Sequence, residues 1–308
     1  MCAQIQTILT TVFEEYKYCV PQRLGKGRHG YSYHSILNAF ALMIFRGIRS
    51  EEGLVEYLNE YTEDAKACGF SKRIPHRTTF GRFRKKVGPE FIDKVHSELI
   101  RKYGKLVEHV LVDATALENK DLDSKVGYTP TKGFFNGFKA HILSDAEMRI
   151  PLSVLVTQGN RQDGPMFPDL IKNTFERGCN PKFATTDAGY DSEKNHRVAK
   201  LYGVLPVIPL NKRNLKNGKA EKFWSMRLNP DILRNSELYR ELQSKRFAAE
   251  EVNSALKQLV DTRKLHVRGL KNIAFYIHLA CLLMAAFYFV ADANDDFPSP
   301  WKVCHLRY

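Results

Sequence analysis

Three acidic residues, far apart in the chain, each fall where a different local pattern places a carboxylate. Asp113 ends the apolar run His109-Val110-Leu111-Val112. Asp187 ends Phe183-Ala184-Thr185-Thr186 and is followed by Ala-Gly-Tyr-Asp-Ser. Glu250 lies inside the helical stretch Lys245-Arg246-Phe247-Ala248-Ala249-Glu250. The two apolar runs read as buried strands, so Asp113 and Asp187 are expected just past their C-terminal ends. Joined by a third carboxylate on a packed helix, they make a hard-oxygen site suited to Mg²⁺. Two such ions can activate both sides of a phosphodiester, which points to nucleic-acid chemistry.

Helical spacing selects the glutamate. With Arg246 as origin and about 100° per residue, Glu250 falls at about 40°, Lys257 at about 20° and Asn253 at about −20°, whereas Glu251 falls at about 140°. Ala249, Val252, Leu256 and Leu259 form the adjoining apolar stripe that would hold the helix on a sheet. One reading has Glu250 holding a metal while Arg246 and Lys257 reach phosphates. The plainer reading is a surface i, i+4 pair of Arg246 with Glu250, worth roughly a few tenths of a kcal/mol. Asp113 alone also fits a turn cap. Gly189 beside Asp187 allows close backbone approach, and Asp191 reads as the cap of the next helix.

The elements that must position these groups follow from patterning. The chain has 308 residues, 44% hydrophobic and 26% charged, as a soluble globular protein of one large or two ordinary domains does. Residues 1–107 read as helices: His34–Ile48, a helix capped by Ser50, and one opened by Pro89. Between the last two lies Ser71–Lys86, with Arg77, Arg82, Arg84 and four further cations and no acid. A short helix there could present cations to a DNA groove, or form a solvated basic face. From residue 108 the pattern changes to strands at His109–Val112, Phe138–Leu143, Ile150–Val156, Phe183–Thr186 and Val204–Pro209, with helices at Pro165–Glu176 and Ser192–Tyr202. A short basic stretch at about 211–235 precedes a long helix from about Ser236 to Lys264. A mixed α/β sheet covered by helices results, followed by a loose tail at 292–308.

The net charge of +13 and pI near 9.4 favour an acidic partner, most commonly nucleic acid. The six cysteines show no C-x-x-C pair, as expected of idle thiols in a reducing compartment. The N-terminus lacks the basic lead and apolar core of a signal peptide, so the expected location is cytoplasmic, at the nucleoid. Ile273–Ala291 is long and apolar enough to span a bilayer. It carries Tyr276, His278 and Tyr288 and follows a charged helix, so it reads as a buried core helix with no membrane partner.

Together these residues resemble the DDE transposases of bacterial and archaeal insertion sequences. The likeness rests on Asp113-Ala-Thr, Gly137-Phe-Lys-Ala-His141, Asn160-Arg-Gln-Asp163, Asp187-Ala-Gly-Tyr-Asp-Ser, Arg246-x-x-x-Glu250-x-x-x-x-x-x-Lys257 and Val267-Arg-Gly-Leu270. Upstream, Cys68-Gly-Phe, Pro75 and Thr79-Phe-Gly-Arg-Phe add to it, so the likeness runs from about residue 35 to 285. Each motif is weak alone; their order and spacing are specific. Two departures stand out: Ala114 where members often have Gly, and Gln243 where many have Tyr.

The resemblance implies an RNase H-like mixed five-stranded sheet flanked by helices (108–291), behind an all-helical N-terminal DNA-binding region (1–107). It implies that Asp113, Asp187 and Glu250 hold two Mg²⁺ or Mn²⁺ ions. Double-stranded DNA at a transposon end would be hydrolysed, and the freed 3′-OH joined to target DNA by a homodimer. Arg246 and Lys257 would hold end phosphates, with Arg77, Arg82 and Arg84 on the N-terminal region. Lys139, His141 and Asp163 are motif positions open to either DNA contact or structural hydrogen bonding. A nuclease of the same fold without strand transfer, a domesticated DNA-binding protein without catalysis, and a tyrosine recombinase are the rivals. The last lacks a Tyr set among Arg and His residues.

Overall fold

The computed structural model describes residues 7–10, 12, 30–103, 106–119, 121, 123–129, 133–211 and 236–293. The basic stretch expected at 211–235, beyond Asn211, and the tail from 294 lie outside them. Two compact units emerge. One comprises Met1–Lys102, Glu118–Ser124 and Ala255–Tyr308; the other comprises Tyr103–Leu117 and Lys125–Ser254. The division falls at Lys102/Tyr103, and the part after Ala255, expected in the catalytic domain, groups with the N-terminal helices.

The first unit is helical. Helix α1 (Tyr33–Phe45) starts where Ser32 accepts the Ser35 N–H, and α2 (Glu51–Glu60) where Ser50 accepts the Gly53 N–H. After α3 (Thr62–Ala67), α4 (Arg77–Tyr103) breaks at Gly88, whose φ of 67° suits glycine, and resumes at Pro89. The last helix among the described residues, Leu270–Ala293, is long and apolar enough to cross a membrane, but most of that length is buried inside the protein. Its Phe275 and Tyr276 rings lie 5.2 and 6.0 Å from Phe40 of α1. Its buried His278 Nδ1 lies 3.2 Å from Asp93 Oδ1 of α4. The segment at Glu118–Ser124 is tied in by Thr262 Oγ1 donating to Glu118 O at 2.7 Å and Asn119 Nδ2 donating to Thr262 O at 2.8 Å. The Asp121 carboxylate accepts the Gly269 N–H, in the Val267–Leu270 stretch of the motif set.

The second unit is a mixed sheet of six strands: β1 (His109–Glu118), β2 (Lys125–Thr129), β3 (Gly133–Asp145), β4 (Pro151–Gln158), β5 (Phe183–Thr185) and β6 (Leu205–Val207). The order is β2-β3-β1-β5-β6, with β4 also on β3. Pairing is parallel in β1–β5–β6 and antiparallel in β2–β3–β4. Five strands are those expected. The sixth, β2, pairs with the first half of β3 and escapes patterning, because it is short, mostly exposed and carries Gly127 at its centre. A Cβ there would lie 2.3 Å from Gly159 O, so that close approach needs glycine. Helices α5 (Phe167–Glu176) and α6 (Glu193–Leu201) follow β4 and β5.

The expected long helix from Ser236 is two. In α7 (Glu237–Ser244), Gln243 Nε2 donates to Val207 O at 2.9 Å, and Leu242 and Tyr239 pack on Val207. In α8 (Phe247–Leu259), Ala248 and Ala249 pack on Leu111 and Ala146. A break at Lys245-Arg246 lets each segment face its own strand.

At the β3–β4 turn, buried Asp145 accepts the Glu147 N–H at 2.8 Å and the Met148 N–H. Burial, with the Glu147 charge adding to it, outweighs these bonds and nearby Lys245 and pushes its carboxyl up to about 6. A raised acid costs stability only when ionised, so the cost is absent below the ordinary carboxylate range and complete above about pH 6. Asp145→Asn keeps an oxygen for both N–H groups. We expect it to match the wild type near pH 4 and to exceed it by about 2 kcal/mol near pH 7 in urea unfolding. Parallel stability curves would refute this.

Candidate active site

Strand register brings Asp113 and Asp187 together. The last parallel pair of β1 and β5 is Leu111 with Thr185, and each aspartate lies two residues beyond it. Equal offsets on parallel neighbours put both carboxylates level, on one face, where β5 ends. A buried contact of 2.8 Å between His109 Nε2 and Thr185 Oγ1 fixes that register. One expectation is corrected here. β1 does not stop at Val112: Thr115 and Leu117 continue the buried alternation, so Asp113 lies within the strand.

Asp187 Oδ1 accepts the Gly189 N–H at 2.8 Å and opens the 3₁₀ turn Ala188–Tyr190. A Cβ on Gly189 would stand 2.9 Å from that oxygen, so the glycine keeps room for the carboxylate. Asp191 was expected to cap α6, but Ser192 does so instead. Asp191 is buried, held 3.1 Å from His196 Nε2 and accepting the Asn211 N–H at 2.8 Å.

Helix α8 is fixed in rotation. Glu251 pairs with Arg149 at 2.8 Å, and Arg149 lies over the Phe247 ring at 5.4 Å. Glu251 thus points away from the aspartates, as helical spacing indicates. Asn253 Nδ2, on the buried face, donates to Asp113 Oδ2 at 2.8 Å. Glu250 is 70% exposed at its side chain and 3.8 Å from Arg246. It does not join the aspartates here, and among the described residues no three His, Cys, Asp or Glu side chains are arranged to hold a metal ion.

A different carboxylate acts on the pair. Asp163, after β4, receives Lys139 Nζ at 2.9 Å. Lys139 is buried and also donates to Arg161 O at 3.1 Å, so its ammonium is spent inside the protein rather than offered to DNA. His141, pushed down to about 4 chiefly by burial, contacts Thr157 Oγ1 of β4 at 2.8 Å. Burial, reinforced by the Asp187 and Asp163 charges against the Ala114 N–H and Arg246, pushes Asp113 up to about 6. Tyr190 Oη and Asn253 Oδ1 are two of the eleven buried side-chain polar atoms that have no hydrogen-bond partner among the described residues. Under-neutralised carboxylates beside unfilled polar atoms suit a hydrated, hard divalent cation, and in that respect Asp113 and Asp187 fit one. The spacing of Asn253 beside Glu250 was visible in the sequence; Tyr190 lay within the Asp187-Ala-Gly-Tyr-Asp-Ser motif but had no role assigned to it.

In the first unit, Arg77 and Arg82 are exposed and line a cleft of about 510 Å³ with Thr78, Lys85 and His266. Arg84 departs from its expected role. It is buried, with Nη2 2.8 Å from Glu51 Oε1 and its guanidinium over the Tyr276 ring. Lys257 is exposed near the end of α8, on a cleft that Arg49, Arg263 and Lys264 also line.

Residues 106–286 match the family described as Transposase DDE domain, and residues 4–86 match Transposase domain (DUF772). The putative transposase for insertion sequence element IS402 of Burkholderia cepacia is 31% identical over 107 residues, 32% of this chain. That stretch spans 50% of the relative's own length. The cryo-EM structure of the piggyBac transposase synaptic complex with hairpin DNA superposes with a TM-score of 0.51 at 12% identity, covering 100% of this chain and 77% of that one. Its likeness bears on the fold alone. The first match covers more than half of the chain, including both aspartates and Glu250, and the chain belongs to the DDE-domain transposase family.

Proposed function

We propose that this protein binds the ends of an insertion sequence, cleaves DNA by metal-dependent hydrolysis and joins the freed 3′-OH to target DNA. The observation that carries this reading is the register-matched pair Asp113 and Asp187, short of counter-charge, in a chain of this family. Asp113, Asp187 and Glu250 would hold two Mg²⁺ or Mn²⁺ ions, which would supply charge neutralisation at the scissile phosphate and activation of water. Asn253 and the Gly189 N–H hold the two aspartates in place. Arg246 sits near enough to Asp113 to stabilise its charge and offers its exposed guanidinium to an end phosphate. Arg77, Arg82 and Lys85 supply phosphate contacts on the first unit, and Lys257 supplies one from α8. Two ends must be cut together, so the working form is a homodimer on DNA, at the nucleoid.

The exposed position of Glu250 also suits a DNA-binding protein without catalysis, and one assay separates the readings. Labelled DNA carrying the sequences beside the gene is incubated with Mg²⁺ or Mn²⁺. The wild type is expected to cut and join, Glu250→Gln to lose at least about 100-fold in rate, and Glu251→Gln to retain most of it. Cutting without joining makes the protein a nuclease. Binding with neither activity makes it a DNA-binding protein.

A further inference from the structure

Asn253 lies on the buried face of α8, one turn after Glu250, and is 6% exposed. Its Nδ2 donates to Asp113 Oδ2 at 2.8 Å. Chemistry fixes the sense of this amide, because exchanging its nitrogen and oxygen would set a carbonyl oxygen against a carboxylate oxygen. The Oδ1 atom is therefore the one turned elsewhere, buried and receiving no hydrogen bond among the described residues. An unsatisfied buried acceptor costs about 1–3 kcal/mol. If Asn253 served only to hold Asp113, that cost would have no return.

A second atom makes the same point independently. Tyr190 is 1% exposed, its hydroxyl also receives and donates nothing among the described residues, and the charges of Asp163, Asp113 and Asp187 all act on it. Asn253 touches Asp113, and Tyr190, from a different element, lies within reach of the charge of the same carboxylates. A further group bound at these carboxylates would complete both atoms.

We propose that Asn253 is a positioning residue of the cation site: Nδ2 fixes the Asp113 carboxylate, and Oδ1 accepts a hydrogen bond from the hydration shell of the bound divalent cation. This rests on the metal-dependent reading above. It gives α8 two contributions to the site, Glu250 and Asn253, and it accounts for a buried amide satisfied on one side only. Partners of this kind are worth about 10–100-fold in metal affinity.

The test is binding of Mn²⁺ alone to the full chain without DNA, followed by electron paramagnetic resonance and by the thermal midpoint. Asn253→Leu, of similar volume, is expected to weaken Mn²⁺ binding at least about tenfold, with a metal-free midpoint no lower than wild type. Asn253→Asp sets a second carboxylate against Asp113. It is expected to lower the metal-free midpoint and to show a larger Mn²⁺-induced rise than wild type, because the cation relieves the repulsion. The proposal is overturned if Asn253→Leu binds Mn²⁺ like wild type while Asp113→Asn does not. Should Asn253→Leu fail to fold, Asn253→Asp decides, and a rise no larger than wild type overturns it. If wild type shows no Mn²⁺ binding that Asp113→Asn removes, the metal-dependent reading falls, and this inference with it.

Discussion

Asp113→Asn is expected to reduce DNA cleavage by at least about 10³-fold while leaving the protein as stable as wild type, or more so. The loss follows from removing a carboxylate at the level where β1 and β5 part, beside Asp187. The stability follows from the sign of its titration. Burial and the neighbouring Asp187 and Asp163 push the Asp113 carboxyl up to about 6, so ionising it near neutral pH costs the metal-free fold free energy. That cost vanishes below the ordinary carboxylate range and grows as pH rises to about 6. The variant's amide oxygen can still accept from Asn253, so the contact with α8 survives. Activity and stability should therefore move in opposite directions, which a residue that merely supports the fold does not do. Cleavage rates and thermal midpoints near pH 7 check this, and a fall in both would assign Asp113 a structural role instead.

The aspartate pair was legible because each residue follows an apolar run, and equal offsets from a parallel register bring them level. The rotation of α8 was legible too. The stripe from Ala249 to Leu259 turns Glu251 away, and Arg149 receives it. What patterning could not supply is the partner of a cation. Arg84 and Lys139 count as free positive charge in the sequence, yet their carboxylates, Glu51 and Asp163, come from 33 and 24 residues away. Burial of the cationic end turns a candidate DNA contact into an internal tie. The break at Lys245-Arg246 was equally hidden, since both flanking segments are amphipathic and only their separate strands, β6 and β1, split them. Helical spacing sets Glu250 apart from Glu251, but how far its side chain stands from Asp113 depends on packing no periodicity encodes.

The largest effect on stability is expected from Phe40→Ala. Phe40 is 0% exposed, and its ring meets Phe80 at 5.6 Å and Phe83 at 6.3 Å on α4, and Phe275 at 5.2 Å and Tyr276 at 6.0 Å on the last helix. Truncating such a residue costs about 3–5 kcal/mol, a transfer loss plus a cavity that four rigid rings cannot close. A small helical unit commands about 5–15 kcal/mol in all, so the variant should sit near its unfolding threshold. The contact also explains why residues after Ala255 group with the N-terminal helices: Phe40 joins chain segments more than two hundred residues apart through one cluster. Limited proteolysis tests both claims at once. In Phe40→Ala, cuts within Tyr33–Phe45 and within Leu270–Ala293 should appear at the same denaturant concentration, below that of wild type. Cuts confined to the N-terminal helices would mean the final helix holds its place without Phe40, and the shared core assigned to these segments would be wrong.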